Sequence, residues 1–216
     1  MRWDVVAANA PYLLEGLRGT VGLGLLVMAL GTALGFAVGL ARLGRGVVYA
    51  CATGFVELFR DTPLIMQIFF IFFGLPALGI RLNPFVAAAA AMTFFAAANA
   101  AEIVRGAIQS IPRGQWEAAR SLGLTAPQSL RWVILPQALR RMLPPLMGLF
   151  TTLLKDTSLA AIVNVFELTT AGRRVVERTL ASFEIWLVVA ALYFLVCYPL
   201  SVATQRLERR LVGEGA

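Results

Sequence analysis

Apolar residues along the chain are gathered into five long runs, separated by shorter intervals that carry most of the charges. A helix of roughly 20 apolar residues is long enough to cross the hydrocarbon core of a membrane. The pattern therefore predicts an all-α fold with five transmembrane helices in a single domain, residues 1–216. The predicted spans cover about residues 20–41, 48–74, 83–106, 139–164 and 184–206.

Two of the five runs are interrupted by charged side chains. The second run contains Glu57, Arg60 and Asp61, followed by Pro63, and we expect its middle third to be irregular. The fourth run is broken by Lys155-Asp156. Interruptions of this kind predict helices that open locally inside the membrane.

Shorter features are predicted outside and within the spans. We expect Tyr12–Leu17 to form a short interfacial helix before the first span, and Glu167–Glu184 to form a charged, partly helical external segment. Within the first span, Gly31, Gly35 and Gly39 recur at every fourth residue. This spacing favours close packing against a neighbouring helix, although glycine is also common in membrane helices without that role.

The composition indicates a membrane protein. Hydrophobic residues make up 59% of the chain and charged residues 14%, against about half and about a quarter in soluble globular proteins. The net charge of +7 would suggest nucleic acid or acidic lipid as the partner of a soluble protein. Here it fits arginines gathered on the cytoplasmic side. We expect a multi-pass protein in the inner (cell) membrane of a prokaryote, with the lipid bilayer as a partner.

Arginines near the span ends predict the orientation, because cytoplasmic loops carry an excess of basic residues. With the N-terminus outside, eleven arginines lie inside and six lie outside, where acidic residues dilute them. We therefore predict an external N-terminus and a cytoplasmic C-terminus. The long polar interval at residues 108–137 then faces the cytoplasm.

That interval has the pattern of two short helices joined by a glycine turn. Gly123 stands where a left-handed helix cap is expected, and Thr125 and Gln128 have the spacing of a capping box. Pro136 is expected to end the second helix. Taken alone, the pattern is typical of a DNA-binding helix-turn-helix. Its place between two membrane spans argues against nucleic acid as a partner, and a solvated connector is the remaining alternative.

The interval resembles the EAA loop of ABC importer permeases. The resemblance rests on Glu117-Ala118-Ala119, Gly123 and Ile134-Leu135-Pro136, and IPRGQWEAARSLGL is similar to the polar amino acid uptake branch (histidine, glutamine, glutamate or arginine type). In such a permease the loop couples the membrane helices to a separate ATPase, and small alanines fit into a groove of that partner. The residues implied for coupling are Gln115, Glu117, Ala118, Ala119, Arg120 and Gly123.

Charges within the spans need an explanation, because an ionised side chain near the membrane centre costs about 2.5–3.5 kcal/mol on insertion scales. Neighbouring residues on a helix point about 100° apart, so Lys155 pairs poorly with Asp156, as Arg60 does with Asp61. In one interpretation the four charges neutralise one another between helices. In the other they form a midplane site for a zwitterion, since an amino acid offers a carboxylate to Lys or Arg and an ammonium to Asp.

The family resemblance supports the zwitterion site. RDTPLIMQ at Arg60–Gln67 is similar to an RGTPLLVQ-type segment, and KDTSL at Lys155–Leu159 is typical of the polar amino acid branch, where similar residues lie near the substrate path. Asp61 replaces a glycine and Asn99 an aromatic residue common in relatives, and Glu102 is expected near the inner mouth. The candidate path residues are Arg60, Asp61, Thr62, Gln67, Asn99, Lys155, Asp156, Thr157 and Ser158.

No enzymatic motif competes with this interpretation. The chain has no GxxxxGK[ST] loop, no histidine and no cysteine pair at metal-binding spacing. We predict no enzymatic activity, no catalytic residue, no metal site and no cofactor in this chain.

The resemblance implies one half of an ATP-driven importer that moves polar or charged amino acids by alternating access. Its partners would be a dimer of ABC ATPase subunits that bind ATP and Mg, an extracytoplasmic amino acid binding protein, and a second permease subunit, either a second copy or a paralogue. A permease for another small solute, such as methionine or an osmolyte, is the alternative. A membrane-anchored helix-turn-helix protein is a third.

Overall fold

The structure is a computed structural model that describes Arg2–Gly213, with side chains described for residues 2–209. Within these residues 87% of the chain is helical and no strand occurs, which confirms the predicted all-α fold. The α-helices are α1 (Trp3–Ala41), α2 (Val47–Arg60), α3 (Leu64–Phe69), α4 (Pro84–Gln109), α5 (Arg113–Ser121), α6 (Ala126–Ser129), α7 (Leu135–Asp156), α8 (Leu168–Thr179) and α9 (Ser182–Gly213).

Four helical stretches are long and apolar enough to cross a membrane by themselves. They are Trp3–Ala41, Pro84–Gln109, Ala126–Val163 and Ser182–Arg209. A fifth span results if α2 is counted together with the helical segment Leu64–Leu78, which is bent from it by 103°. The irregularity expected in the second run is therefore a sharp break, and Pro63 lies within it.

α4 is the central helix, and its small side chains let α1 lie directly against it. A methyl group added at Gly35 would come within 2.6 Å of both the Ala97 carbonyl oxygen and the Ala100 side chain. A methyl group added at Gly31 or Gly39 would come similarly close to atoms of α4. The glycine spacing in the first span thus serves close helix packing.

Gly35→Ala is expected to lower the free energy of unfolding by about 1–3 kcal/mol, because an added methyl group forces two packed helices apart. Gly22→Ala is the matched control, since no atom lies within 4 Å of a methyl group added there. The control should keep or raise stability, because alanine favours the helix over glycine. Thermal unfolding of the purified protein in detergent measures both variants, and equal melting temperatures would contradict the close contact.

The short interfacial helix predicted at Tyr12–Leu17 is wrong, because α1 runs without interruption from Trp3. Val5 and Leu13 are buried and belong to a cluster of apolar side chains shared with α8 and α9. These contacts stabilise the N-terminal turns as a continuation of the first span.

The prediction that Pro136 ends a helix is also wrong. The helix that begins at Ala126 widens into a π turn at Leu130–Ile134 and continues as α7. A wide turn relieves the clash between a proline ring and the carbonyl group one turn earlier. Residues 126–137, predicted as part of the polar interval, are therefore continuous with the fourth span.

Candidate functional site

Gln67 holds the break between α2 and α3 together and is only 7% exposed. Its side-chain nitrogen donates hydrogen bonds to the backbone oxygens of Phe59 at 2.9 Å and Thr62 at 3.1 Å. Carbonyl groups freed by a break in a membrane helix need such donors, because water is scarce there. Thr62 donates its own hydroxyl to the backbone oxygen of Leu58 at 2.7 Å. Both predicted path residues therefore stabilise the break.

Arg60, at the end of α2, lies beside Glu102. Its guanidinium is 3.9 Å from the Glu102 carboxylate, which also forms ion pairs with Arg42 at the end of α1 and with Arg105 of α4. One carboxylate thus links three helices, and the cluster keeps an excess of positive charge. Glu102 was predicted only as a residue of the inner mouth, and its three arginine neighbours were not foreseen.

Lys155 and Asp156 lie at the end of α7, and neither forms an ion pair with another described residue. Lys155 is exposed and Asp156 is partly buried. Asp61, at the break, is exposed and likewise has no ion pair within residues 2–209. The interpretation in which Arg60, Asp61, Lys155 and Asp156 neutralise one another between helices is therefore wrong.

Lys155 borders a groove of about 270 Å³ that lies between the end of α7 and the middle of α9. The α9 side of this groove was not predicted from the sequence, because an uncharged span gives no signal for which of its faces meets α7. The groove is lined by Lys155, Tyr193, Phe194, Cys197, Tyr198 and Ser201.

Two other predicted path residues, Asn99 and Thr157, donate hydrogen bonds to the backbone of the preceding helical turn. Asn99 donates its amide to the backbone oxygen of Phe95 at 2.9 Å. Thr157 is fully buried and donates its hydroxyl to the backbone oxygen of Leu154 at 2.8 Å. Ser158 is partly buried. Of the nine predicted residues, Asp61, Lys155 and Asp156 carry a charge that has no ion pair within residues 2–209.

The polar interval contains the two local features expected of it. Gly123 has φ +80°, so it occupies the left-handed region that favours glycine. The backbone N–H of Thr125 donates to the Gln128 side chain at 2.8 Å, which confirms the capping box. Gln137 of α7 donates to Gln115 of α5 at 3.1 Å and fastens this helix to the fourth span.

The exposed face of α5 differs in two places from the predicted coupling surface. Gln115, Glu117, Ala118 and Arg120 are exposed, as a docking helix requires, but Ala119 is 2% exposed and packs into its own chain. The interpretation in which Ala119 enters a partner's groove is therefore wrong. Leu122, which the sequence analysis missed, is 82% exposed at the end of this helix. A leucine directly before a glycine cap was the available signal.

Glu167 was assigned to a charged external segment, but it is fully buried. Its carboxylate accepts hydrogen bonds from the backbone N–H groups of Thr169 at 2.8 Å and Thr170 at 2.6 Å, at the start of α8. The hydroxyl of Tyr193 donates to the same carboxylate at 2.9 Å. Sequence reasoning missed this cap, because glutamate is not among the preferred N-cap residues.

The chain is similar to known membrane transport proteins. The family model described as "Binding-protein-dependent transport system inner membrane component" matches residues 31–213. The glutamine transport system permease protein GlnP of Escherichia coli (strain K12) is 39% identical over 212 residues, which are 97% of each chain. The L-cystine transport system permease protein TcyB of Bacillus subtilis (strain 168) is 38% identical over 97% of this chain and 91% of its own length.

A solved structure has the same fold over nearly the whole chain. It is described as a crystal structure of an amino acid ABC transporter with histidines, and it matches with a TM-score of 0.92 and 31% identity. The match covers 97% of this chain and 99% of that one.

Proposed function

This chain belongs to the family of binding-protein-dependent transport system inner membrane components, and we propose that it lines half of the path of an ATP-driven importer for polar amino acids. As a member of that family it is a multi-pass inner membrane protein of a bacterial ABC system and not an enzyme, since ATP hydrolysis belongs to a separate subunit. Membership also implies an ATPase partner, a second permease subunit and a binding protein.

The observation that carries the proposal is the presence of two adjacent opposite charges at the end of α7, each without an ion pair in the described chain. A charged group in a membrane span is retained where it serves a ligand or a partner, because it is costly otherwise. A zwitterion supplies a carboxylate for Lys155 and an ammonium for Asp156. Every α-amino acid has that charge pattern, and the narrowing to polar ones rests on the similarity to a permease named for glutamine.

The proposed substrate is the class of polar amino acids and not one particular amino acid. The two relatives named above have almost equal identity, yet one is named for glutamine and the other for cystine. The path would be completed by a second copy of this chain or by a paralogue. ATP and Mg would bind to a dimer of the ATPase partner, because this sequence contains no GxxxxGK[ST] loop.

Coupling to the ATPase is proposed to run through the exposed face of α5 and through Leu122. A surface cavity of about 520 Å³ is lined by Arg113, Trp116, Glu117 and Arg120, and Leu122, two residues further along the chain, is exposed. An apolar anchor with polar residues around it is the usual form of a docking surface. Closure of the ATPases would then switch the path between two access states.

A reconstituted assembly tests the proposed function. Proteoliposomes would contain this permease with its ATPase, external binding protein and internal ATP, and would be offered a panel of labelled amino acids, methionine and an osmolyte such as betaine. We expect at least one polar amino acid to accumulate only when ATP is present. Accumulation of methionine or the osmolyte without any polar amino acid would overturn the proposal.

The orientation has its own test, because α5 must face the cytoplasm to meet an ATPase. In a chain with Cys51→Ser and Cys197→Ala, a Gln115→Cys substitution should react with a membrane-impermeant maleimide only after cells are opened. Arg81→Cys is the control on the predicted outer side, and it should react in intact cells. Labelling of residue 115 in intact cells would contradict the cytoplasmic position.

A further inference from the structure

We propose that Phe194 and Tyr198 of α9 determine which amino acid side chain is accepted beside Lys155, and that they favour a planar, polar one such as a guanidinium or an amide. This inference rests on the proposed function. It concerns the aromatic wall of the groove at the end of α7 and not the charged pair itself.

The wall is a pair of stacked rings in the middle of the fifth span. The ring centroids of Phe194 and Tyr198 are 5.0 Å apart and their planes differ by 20°. The two side chains are 61% and 56% exposed in this chain, and both line the groove that contains Lys155. A guanidinium or another planar group stacks on such faces, whereas a branched aliphatic group does not.

The groove lies at the depth of the membrane centre. Phe194 lies 12 residues from Ser182, the first residue of α9, and 12 from Arg206 near its inner end. At 1.5 Å per residue this is the middle of a membrane span. A phenylalanine is favourable in lipid at that depth, but an ammonium such as that of Lys155 is costly on a lipid-facing surface. The groove therefore faces a path lined by protein.

The position of the wall leaves one substituent of the substrate facing it. The α-carbon of an amino acid carries a carboxylate, an ammonium and a side chain. If Lys155 takes the carboxylate and Asp156 takes the ammonium, the side chain is left for the rest of the groove. Apart from Lys155, the groove is lined by the ring pair together with Tyr193, Cys197 and Ser201. Asp156 does not line the groove.

The groove is small, and the helix that carries its wall is held by hydrogen bonds. Its volume of about 270 Å³ lies just below the range of about 300–1,000 Å³ typical of drug-sized ligands, which suits a single amino acid. Tyr193, one turn before Cys197, is held by its hydroxyl, which donates to buried Glu167 at 2.9 Å and lies 3.1 Å from the Thr169 hydroxyl. These hydrogen bonds hold the α9 backbone beside the groove against the start of α8.

Equilibrium binding of labelled glutamine, arginine and leucine to the purified permease–ATPase assembly tests the inference. We expect glutamine or arginine to bind more tightly than leucine by about tenfold. Phe194→Leu and Tyr198→Leu should each weaken that binding by about 3- to 10-fold and reduce the preference over leucine. Leu195→Ala is the matched control, because Leu195 is exposed on the same helix but does not line the groove. It should change neither quantity.

Several outcomes would overturn the inference while leaving the proposed function intact. One is an assembly that imports polar amino acids but binds glutamine and arginine no more tightly than leucine. Another is unchanged affinity in both ring variants, with elution volume and melting temperature like those of the wild type. Loss of the second permease subunit at unchanged affinity would assign the rings to the subunit contact instead. Failure of the proposed function is seen separately, in the uptake panel.

Discussion

Replacing Lys155 with alanine is expected to lower uptake of the transported amino acid by roughly 10- to 100-fold. Lys155 is the only lysine of the chain, and no carboxylate of the described residues pairs with it. A hydrogen bond to a charged group contributes about 1.5–3 kcal/mol, and each 1.4 kcal/mol changes binding about tenfold. The change should appear as a raised KM in reconstituted vesicles, because the ammonium contributes to binding the substrate carboxylate.

Two further variants serve as controls, one at position 155 and one at an exposed arginine elsewhere in the chain. Lys155→Arg keeps the positive charge and should retain more uptake than Lys155→Ala. Arg81→Ala removes an exposed charge from the segment before α4 and should leave uptake unchanged. ATP hydrolysis measured in parallel shows whether the assembly remains intact. Full uptake by the Lys155→Ala variant would show that the ammonium does not contact substrate.

Gly123→Asp is expected to abolish ATP-driven uptake, leaving an assembly that either hydrolyses ATP without transport or binds its ATPase weakly. Gly123 has φ +80° and donates its N–H to the backbone oxygen of Arg120 at 2.9 Å, which closes the end of α5. A residue with a side chain costs roughly 1–2 kcal/mol in this conformation. A carboxylate at a helix C-terminus adds an unfavourable charge. The coupling surface next to it would be displaced.

The chain offers a control for strain alone. Gly46, before α2, has φ +79° and no atom within 4 Å of an added methyl group, so Gly46→Asp introduces a backbone conflict of its own away from α5. This variant should keep coupled uptake, although the strained backbone should lower its melting temperature as well. Equal loss of uptake in the two variants would assign the effect to general destabilisation. The ratio of uptake to ATP hydrolysis is the quantity to compare.

Features set by neighbours in sequence were predictable in this chain, and features set by distant contacts were not. The cap at Gly123 and the Thr125–Gln128 hydrogen bond depend on residues within one turn, and both were predicted. The runs of apolar residues likewise specified the helical class. Pro136 shows the limit of such rules, because a π turn earlier in the helix accommodates the ring that the rule treats as a stop.

The candidate site was predictable as a set of charges but not as a geometry. The Lys155–Asp156 pair was identified from its cost in a membrane. Its groove, in contrast, depends on α9, whose residues lie about 40 positions further along the chain. Arg60 was assigned to the path, whereas its nearest carboxylate belongs to Glu102 of another helix. Burial of Glu167 depends on Tyr193, 26 residues away, so no local pattern reveals it.

A structure of the whole assembly with a bound amino acid tests the central claim most directly. The quantity to measure is the distance from the substrate carboxylate to the Lys155 ammonium nitrogen. We predict a distance of about 2.7–2.9 Å, as in other charge-assisted hydrogen bonds. An amino acid bound elsewhere along the path, for example at the arginines around Glu102 and out of reach of Lys155, would contradict it.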